Sequence, residues 1–87
     1  MNIFETYRIT EKISLEIVLN NINDFCKTLG YKIVSNKTEG LSVFIIKNID
    51  GHPAAIAKKT PIISNIQTND NMIKTLLEKE PGVELVR

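Results

Sequence analysis

"LSVFIIKNIDGHPAAIAKK", residues 41–59, decides the fold. Two runs able to form strands flank Asp50-Gly51. An Asp-Gly pair between such runs is a strong short-range hairpin signal, because a type I′ turn needs positive φ at both central residues. A two-residue Asp50-Gly51 turn predicts the register directly. Ile49 then faces His52, Lys47 faces Ala54, Ile46 faces Ala55, Ile45 faces Ile56 and Phe44 faces Ala57. One face of the hairpin carries Leu41, Val43, Ile45 and Ile56. The other sets Phe44 and Ile46 against Ala55 and Ala57, and large residues opposite alanines leave a shallow groove for a helix.

The same stretch holds the only histidine, His52, ahead of Pro53. A catalytic histidine needs an orienting carboxylate and a nucleophile within hydrogen-bond reach. Turn chemistry already accounts for Asp50, so His52 reads as a turn residue that a partner can still touch. Lys47 and Lys58 share one face and Lys59 points away. Lysines so divided are expected to keep strand edges soluble.

The helix for the groove lies upstream. In "TEKISLEIVLNNINDFCKTLG", Leu15, Val18, Leu19, Ile22, Phe25, Cys26 and Leu29 recur at three- and four-residue steps, and Glu16, Asn20, Asn23, Asp24 and Lys27 take the opposite face. Thr10 or Ser14 caps its start, Glu11 suits its positive end, and Gly30 closes it. "NIFETYRI" alternates as a strand, "YKIVSN" reads as another, and "KTEG" is a turn. Pro61 cannot donate to a ladder, so it breaks the strand or sits at an edge. "QTNDN" reads as loop and cap, and "MIKTLLEKE" as a short helix with Met72, Ile73, Leu76 and Leu77 inward. "PG" stops that helix, and "VELVR" is a strand or a tail. The residues Phe4, Phe44 and Ile46 form one apolar set of the sheet, and Leu41, Val43, Ile45 and Ile56 the other.

Eighty-seven residues make one domain, 1–87. A chain of this size buries about 64% of its extended surface, enough for one modest core. The net charge is +1 and no basic run exceeds a pair, so the clustered charge that drives strong nucleic-acid binding is lacking. The single cysteine, Cys26, leaves no intrachain disulfide and no Cys-based metal cluster. On its apolar helix face it behaves as a small hydrophobe. No phosphate-binding loop pattern occurs, and no cofactor is expected. The first residues lack the apolar run of a signal peptide and no stretch is long enough to span a membrane, so a cytoplasmic location is expected. Ile, Asn and Lys make up over a third of the chain. All three have AT-rich codons, which points to an AT-rich genome.

Residues 14–80 run helix–strand–strand–strand–helix, which resembles the double-stranded-RNA-binding fold and the small HicA-type toxins built on it. In those toxins a glycine at the first hairpin precedes a catalytic histidine. Here Gly40 is followed by Leu41, Ser42 and Val43, which removes that nuclease chemistry from the resemblance. The basic, alanine-rich start of the last helix is also missing. If both "NIFETYRI" and "VELVR" are strands, a ferredoxin-like sandwich with an extra hairpin strand fits instead.

The expectation is an α+β fold: a small antiparallel sheet of three to five strands, two helices packed on one face, order β-α-β-β-β-α(-β). The expected function is non-enzymatic binding of another protein, or of itself as a homodimer, through Leu41, Val43, Ile45, Ile56, His52, Lys47 and Lys58. A phage- or mobile-element-encoded inhibitor or accessory factor suits that reading. Two alternatives stand beside it. One is a nucleic-acid-binding module of double-stranded-RNA-binding-like topology using the hairpin lysines. The other is a small enzyme built on Cys26 and His52.

Overall fold

Helix α1 spans Leu15–Thr28. Ser14, not Thr10, is its N-cap, and its hydroxyl accepts the Ile17 N–H at 3.2 Å. Leu15, Val18, Leu19, Ile22 and Cys26 are buried, as their spacing predicts. Phe25 is not, at 60% exposed. It sits about 100° around the helix from Cys26, and the small cysteine occupies the centre of the buried stripe. The computed structural model describes residues 4–10 and 12–87. Asn2, Ile3 and Glu11, read above as strand and helix start, lie outside them.

The strands are β1 (Glu5–Ile9), β2 (Lys32–Thr38), β3 (Leu41–Lys47), β4 (Pro53–Lys59), β5 (Ser64–Thr68) and β6 (Val83–Val86), with helix α2 (Asn71–Glu78) between the last two. They form one antiparallel sheet in the order β2-β3-β4-β5-β1-β6. The α+β class and the two helices on one face are as expected, and the strand count is six rather than three to five. The missed strand is β5, where "QTNDN" was expected to begin a loop. Gln67 and Thr68 instead pair with β4 on one side and β1 on the other. Its sequence SNIQT has one apolar residue, Ile66, so no alternation advertises a strand; its two neighbours impose the conformation. Four strands therefore separate the helices, which departs from the three of the double-stranded-RNA-binding layout. β6 is a strand beside β1, as the ferredoxin-like alternative requires, but the sheet is larger than that layout by two strands rather than one.

The central hairpin keeps most of its expected register: Ile46 pairs with Ala55, Ile45 with Ile56 and Phe44 with Ala57. Its loop differs. Among the described residues no residue other than glycine has positive φ, so Asp50 does not adopt the I′ conformation, and Gly51 alone does, at +83°. Asn48 and His52 close a three-residue loop, with the Asn48 N–H donating to the His52 carbonyl at 2.8 Å and the Gly51 N–H to the Asn48 carbonyl at 2.9 Å. Asn48 Oδ1 accepts from the Asp50 and His52 N–H groups, 3.0 Å each, which favours this loop over the shorter one. The extra residue shifts the register, so Lys47 faces Pro53, not Ala54.

The core is a single cluster between the sheet and both helices. Tyr7, Phe44, Ile46, Ala55, Ala57 and Ile66 of the sheet meet Leu15, Val18, Ile22 and Cys26 of α1 and Ile73 and Leu77 of α2. Ala55 and Ala57 are fully covered, as the groove argument anticipates. Phe4 does not join Phe44 and Ile46: strand alternation groups it with Thr6 and Arg8, and it is 56% exposed. Met72 is likewise about half exposed rather than inward. It sits in the first turn of α2, ahead of the buried Ile73.

Asp70 ties the second helix to the rest. Its Oδ1 caps α2 by accepting from Met72 and Ile73, and its Oδ2 accepts from the Tyr31 hydroxyl at 2.7 Å. Buried Thr68 donates to the Ala54 carbonyl at 2.7 Å and accepts the Asp70 N–H at 3.0 Å, so every polar atom it buries is paired.

Candidate functional site

Because both helices lie on one face, the other face of the sheet has no cover from them. Pairing defines its layout rung by rung. One rung runs Val34, Ile45, Ile56, Gln67, Thr6, Val86. The next runs Asn36, Val43, Lys58, Asn65, Arg8, Glu84. On the other side of the first lie Lys32, Lys47 and Pro53. Leu41, Val43, Ile45 and Ile56, singled out from the sequence, thus share the open face, and Val34 joins them from β2. Val34 and Leu41 are exposed, and Val43, Ile45 and Ile56 are half-buried by their neighbours.

Lys47 and Lys58 are on this face too, one rung to either side of the Ile45–Ile56 pair. They stand roughly 13 Å apart along the strands at ~3.3 Å per residue. Lys59 turns to the helix side, where its Nζ binds both Glu16 carboxylate oxygens at 2.8 and 2.9 Å. That contact holds the Glu16 carboxyl below its ordinary range. The open face thus carries Lys32, Lys47, Lys58 and Arg8 against one carboxylate, Glu84, which is bound to Arg8 at 2.8 Å. Among the described residues no ion pair engages Lys32, Lys47 or Lys58.

His52 lies outside this strip, exposed in the hairpin loop, and its backbone closes the loop as described. Cys26 is buried in the core, and burial, with a smaller contribution from Asp70, pushes its thiol pKa up. A nucleophilic cysteine needs an open, electropositive setting that stabilises the thiolate. Cys26 has the opposite surroundings, and no hydrogen bond among the described residues joins it to His52. Nor does any group of three or more His, Cys, Asp or Glu among the described residues have the arrangement of a metal site. Among the described residues no helix is long and apolar enough to cross a membrane.

Sequence reasoning missed a second feature, on the helix side of the sheet. Beside the first half of α1, the β2–β3 end of this face is not fully covered. The result is a cleft of about 490 Å³ bordered by Glu16, Ile17, Leu19, Asn20, Ile33 and Phe44. Ile17 is 52% exposed at its rim. The Lys37 ammonium stands 6.0 Å from the centre of the Phe44 ring, within cation–π range. The one sequence signal was Ile17, an apolar residue off the buried stripe of α1.

Compared with known family models, curated proteins and solved structures, the chain matches none of them.

Proposed function

We propose that this protein is a non-enzymatic binding domain that docks another protein on the open face of its sheet. The observation that carries the reading is the apolar strip Val34, Ile45 and Ile56, with Val43 and Leu41 beside it, on a face that neither helix covers. Contiguous apolar surface rimmed by polar residues marks interaction sites. Here Lys47 and Lys58 supply the rim, with His52 at the hairpin end for peripheral contact. The partner is a second protein, or a second copy of this chain. An inhibitor or accessory factor encoded by a phage or mobile element is the setting that best suits the AT-rich residue usage. Such a setting places it in the cytoplasm.

Affinity capture from source-cell lysate, with wild type and Ile45→Thr/Ile56→Thr as baits, tests the face. Threonine keeps the strand propensity while removing the apolar strip. Loss of the captured protein in the variant, with Met72→Thr on α2 unchanged, is the expected result. Identical capture by all three baits refutes the reading. Sedimentation of the protein alone at high micromolar concentration reports whether the occupant is a second copy.

A second reading has one specific observation behind it, the cations Lys32, Lys47, Lys58 and Arg8 on that same face. They suit a nucleic-acid backbone, and that reading requires affinity that falls steeply with salt. Absence of a gel shift with mixed DNA and RNA at low salt removes it.

A further inference from the structure

Strand β2 is an edge strand, paired among the described residues with β3 alone. Its seven residues hold an unbroken register from Lys32 to Thr38, with no proline and no bulge, and all but Ile33 are exposed. Edges of this length are usually shortened, bent or covered, because their free N–H and C=O groups will pair with any extended chain. The one protective device here is charge. Lys32 projects on the open face and Lys37 on the helix face, and residues 32–38 contain no carboxylate.

We propose, resting on the protein-binding reading above, that this edge is a strand-addition site for an extended acidic segment of the partner protein. An added strand places alternate side chains on the two faces. Those on the helix face, opposite Ile33 and Ser35, lie over the apolar cleft between Ile17, Ile33 and Phe44. Those opposite Lys32 and Lys37 meet ammonium groups that, among the described residues, are in no ion pair. The cleft's own carboxylate, Glu16, is held by Lys59 and does not oppose an anionic guest. On the open face the new strand extends the rung of Val34, Ile45 and Ile56 by one residue. The recognised pattern is therefore acidic, apolar, any, apolar, any, acidic. Charge also selects against a second copy of this edge, since a seam of two β2 strands holds four lysines and no carboxylate.

Amide chemical shifts of the isotope-labelled full chain, titrated with designed peptides, test this. The first probe is a capped peptide alternating leucine and threonine with a glutamate at each end; the second has lysines in place of the glutamates. The glutamate peptide is expected to shift residues 32–38, Ile17 and Phe44, and to bind about tenfold more tightly than the lysine peptide. Lys32→Glu/Lys37→Glu, at exposed positions that the fold tolerates, is expected to invert that preference. Five results overturn the inference. One is no shift with about 1 mM glutamate peptide, a weak-binding threshold. A second is equal affinity for both peptides, and a third is a single-stranded DNA oligonucleotide shifting the same residues more strongly. The fourth is sedimentation as a dimer that Lys32→Glu/Lys37→Glu disrupts, which assigns the edge to a second copy. Peptide shifts confined to Val43, Ile45 and Ile56 also reject the edge site while leaving the open-face reading intact.

Discussion

Two glycines with the same backbone conformation provide a controlled test of the packing. Gly51 and Gly82 both have φ +83°. A side chain at either site carries the left-handed penalty, about 1–2 kcal/mol. Their surroundings differ. A Cβ on Gly51 meets nothing within 4 Å, whereas one on Gly82 comes to 2.8 Å from Ile13 Cγ2 and 3.3 Å from Thr10 Oγ1. Neither neighbour can retreat freely. Thr10 donates both its N–H and its hydroxyl to the Gly82 carbonyl at 2.8 Å, and Ile13 packs against the core. Overpacking of this kind costs about 1–3 kcal/mol more. Gly51→Ala is therefore expected to lose about 1–2 kcal/mol and Gly82→Ala about 2–5 kcal/mol. In a domain of this size the gap corresponds to roughly 5–20 °C in Tm. Urea and thermal unfolding followed by far-ultraviolet circular dichroism measure both. Adding Ile13→Ala removes the clashing methyl, so its effect should be smaller in the Gly82→Ala background than in wild type. Variants within about 0.5 kcal/mol of each other, or strict additivity with Ile13→Ala, refute the clash.

Asp70→Ala removes the cap of α2 and strands the Tyr31 hydroxyl, and should cost about 2–3 kcal/mol in urea unfolding, against about 1 kcal/mol for Tyr31→Phe. The hydrogen bond to Asp70, and then burial, raise the Tyr31 pKa from 10.0 to about 12; Tyr7 reaches about 12 through burial and then the nearby Glu5 and Glu78. Raised pKa values mean that the folded state holds these protons more tightly, so this stability is fully present below pH 10 and lost as pH rises to about 12. Ultraviolet titration should show no phenolate step at 10.0 in the folded protein, and in Asp70→Asn one phenol should move down towards that value. His52→Ala should leave stability within about 0.5 kcal/mol, because the loop uses its backbone. A thiol reagent should label Cys26 only as fast as the protein opens; rapid labelling of the native protein contradicts its burial.

For the site, the sequence went far along the central hairpin and stopped at its neighbours. Alternation placed Leu41, Val43, Ile45 and Ile56 on one face, because strand periodicity is a property of the backbone. Val34 was out of reach, since which partner lies beside Ile45 depends on how the strand at 32–38 docks. The cleft beside Ile17 was likewise hidden. An apolar residue off the helix stripe is common, and only the position of α1 over the sheet shows that Ile17 borders an open cleft.

What the sequence alone determined was local: α1 from its three- and four-residue spacing, its Ser14 cap among two candidates, and the register of Phe44, Ile45 and Ile46 against Ala57, Ile56 and Ala55. Each rests on interactions within about twenty residues, where periodicity and turn chemistry dominate. The tertiary structure decided that SNIQT is a strand, that β1 inserts between β5 and β6, that Asn48 lengthens the hairpin loop, that Phe25 and Met72 stay exposed, and that β2 is left as an open edge. These depend on contacts between segments distant in sequence. A residue such as Thr68 or Phe25 carries no sign of what will lie against it, so burial and edge exposure emerge only when the sheet is assembled.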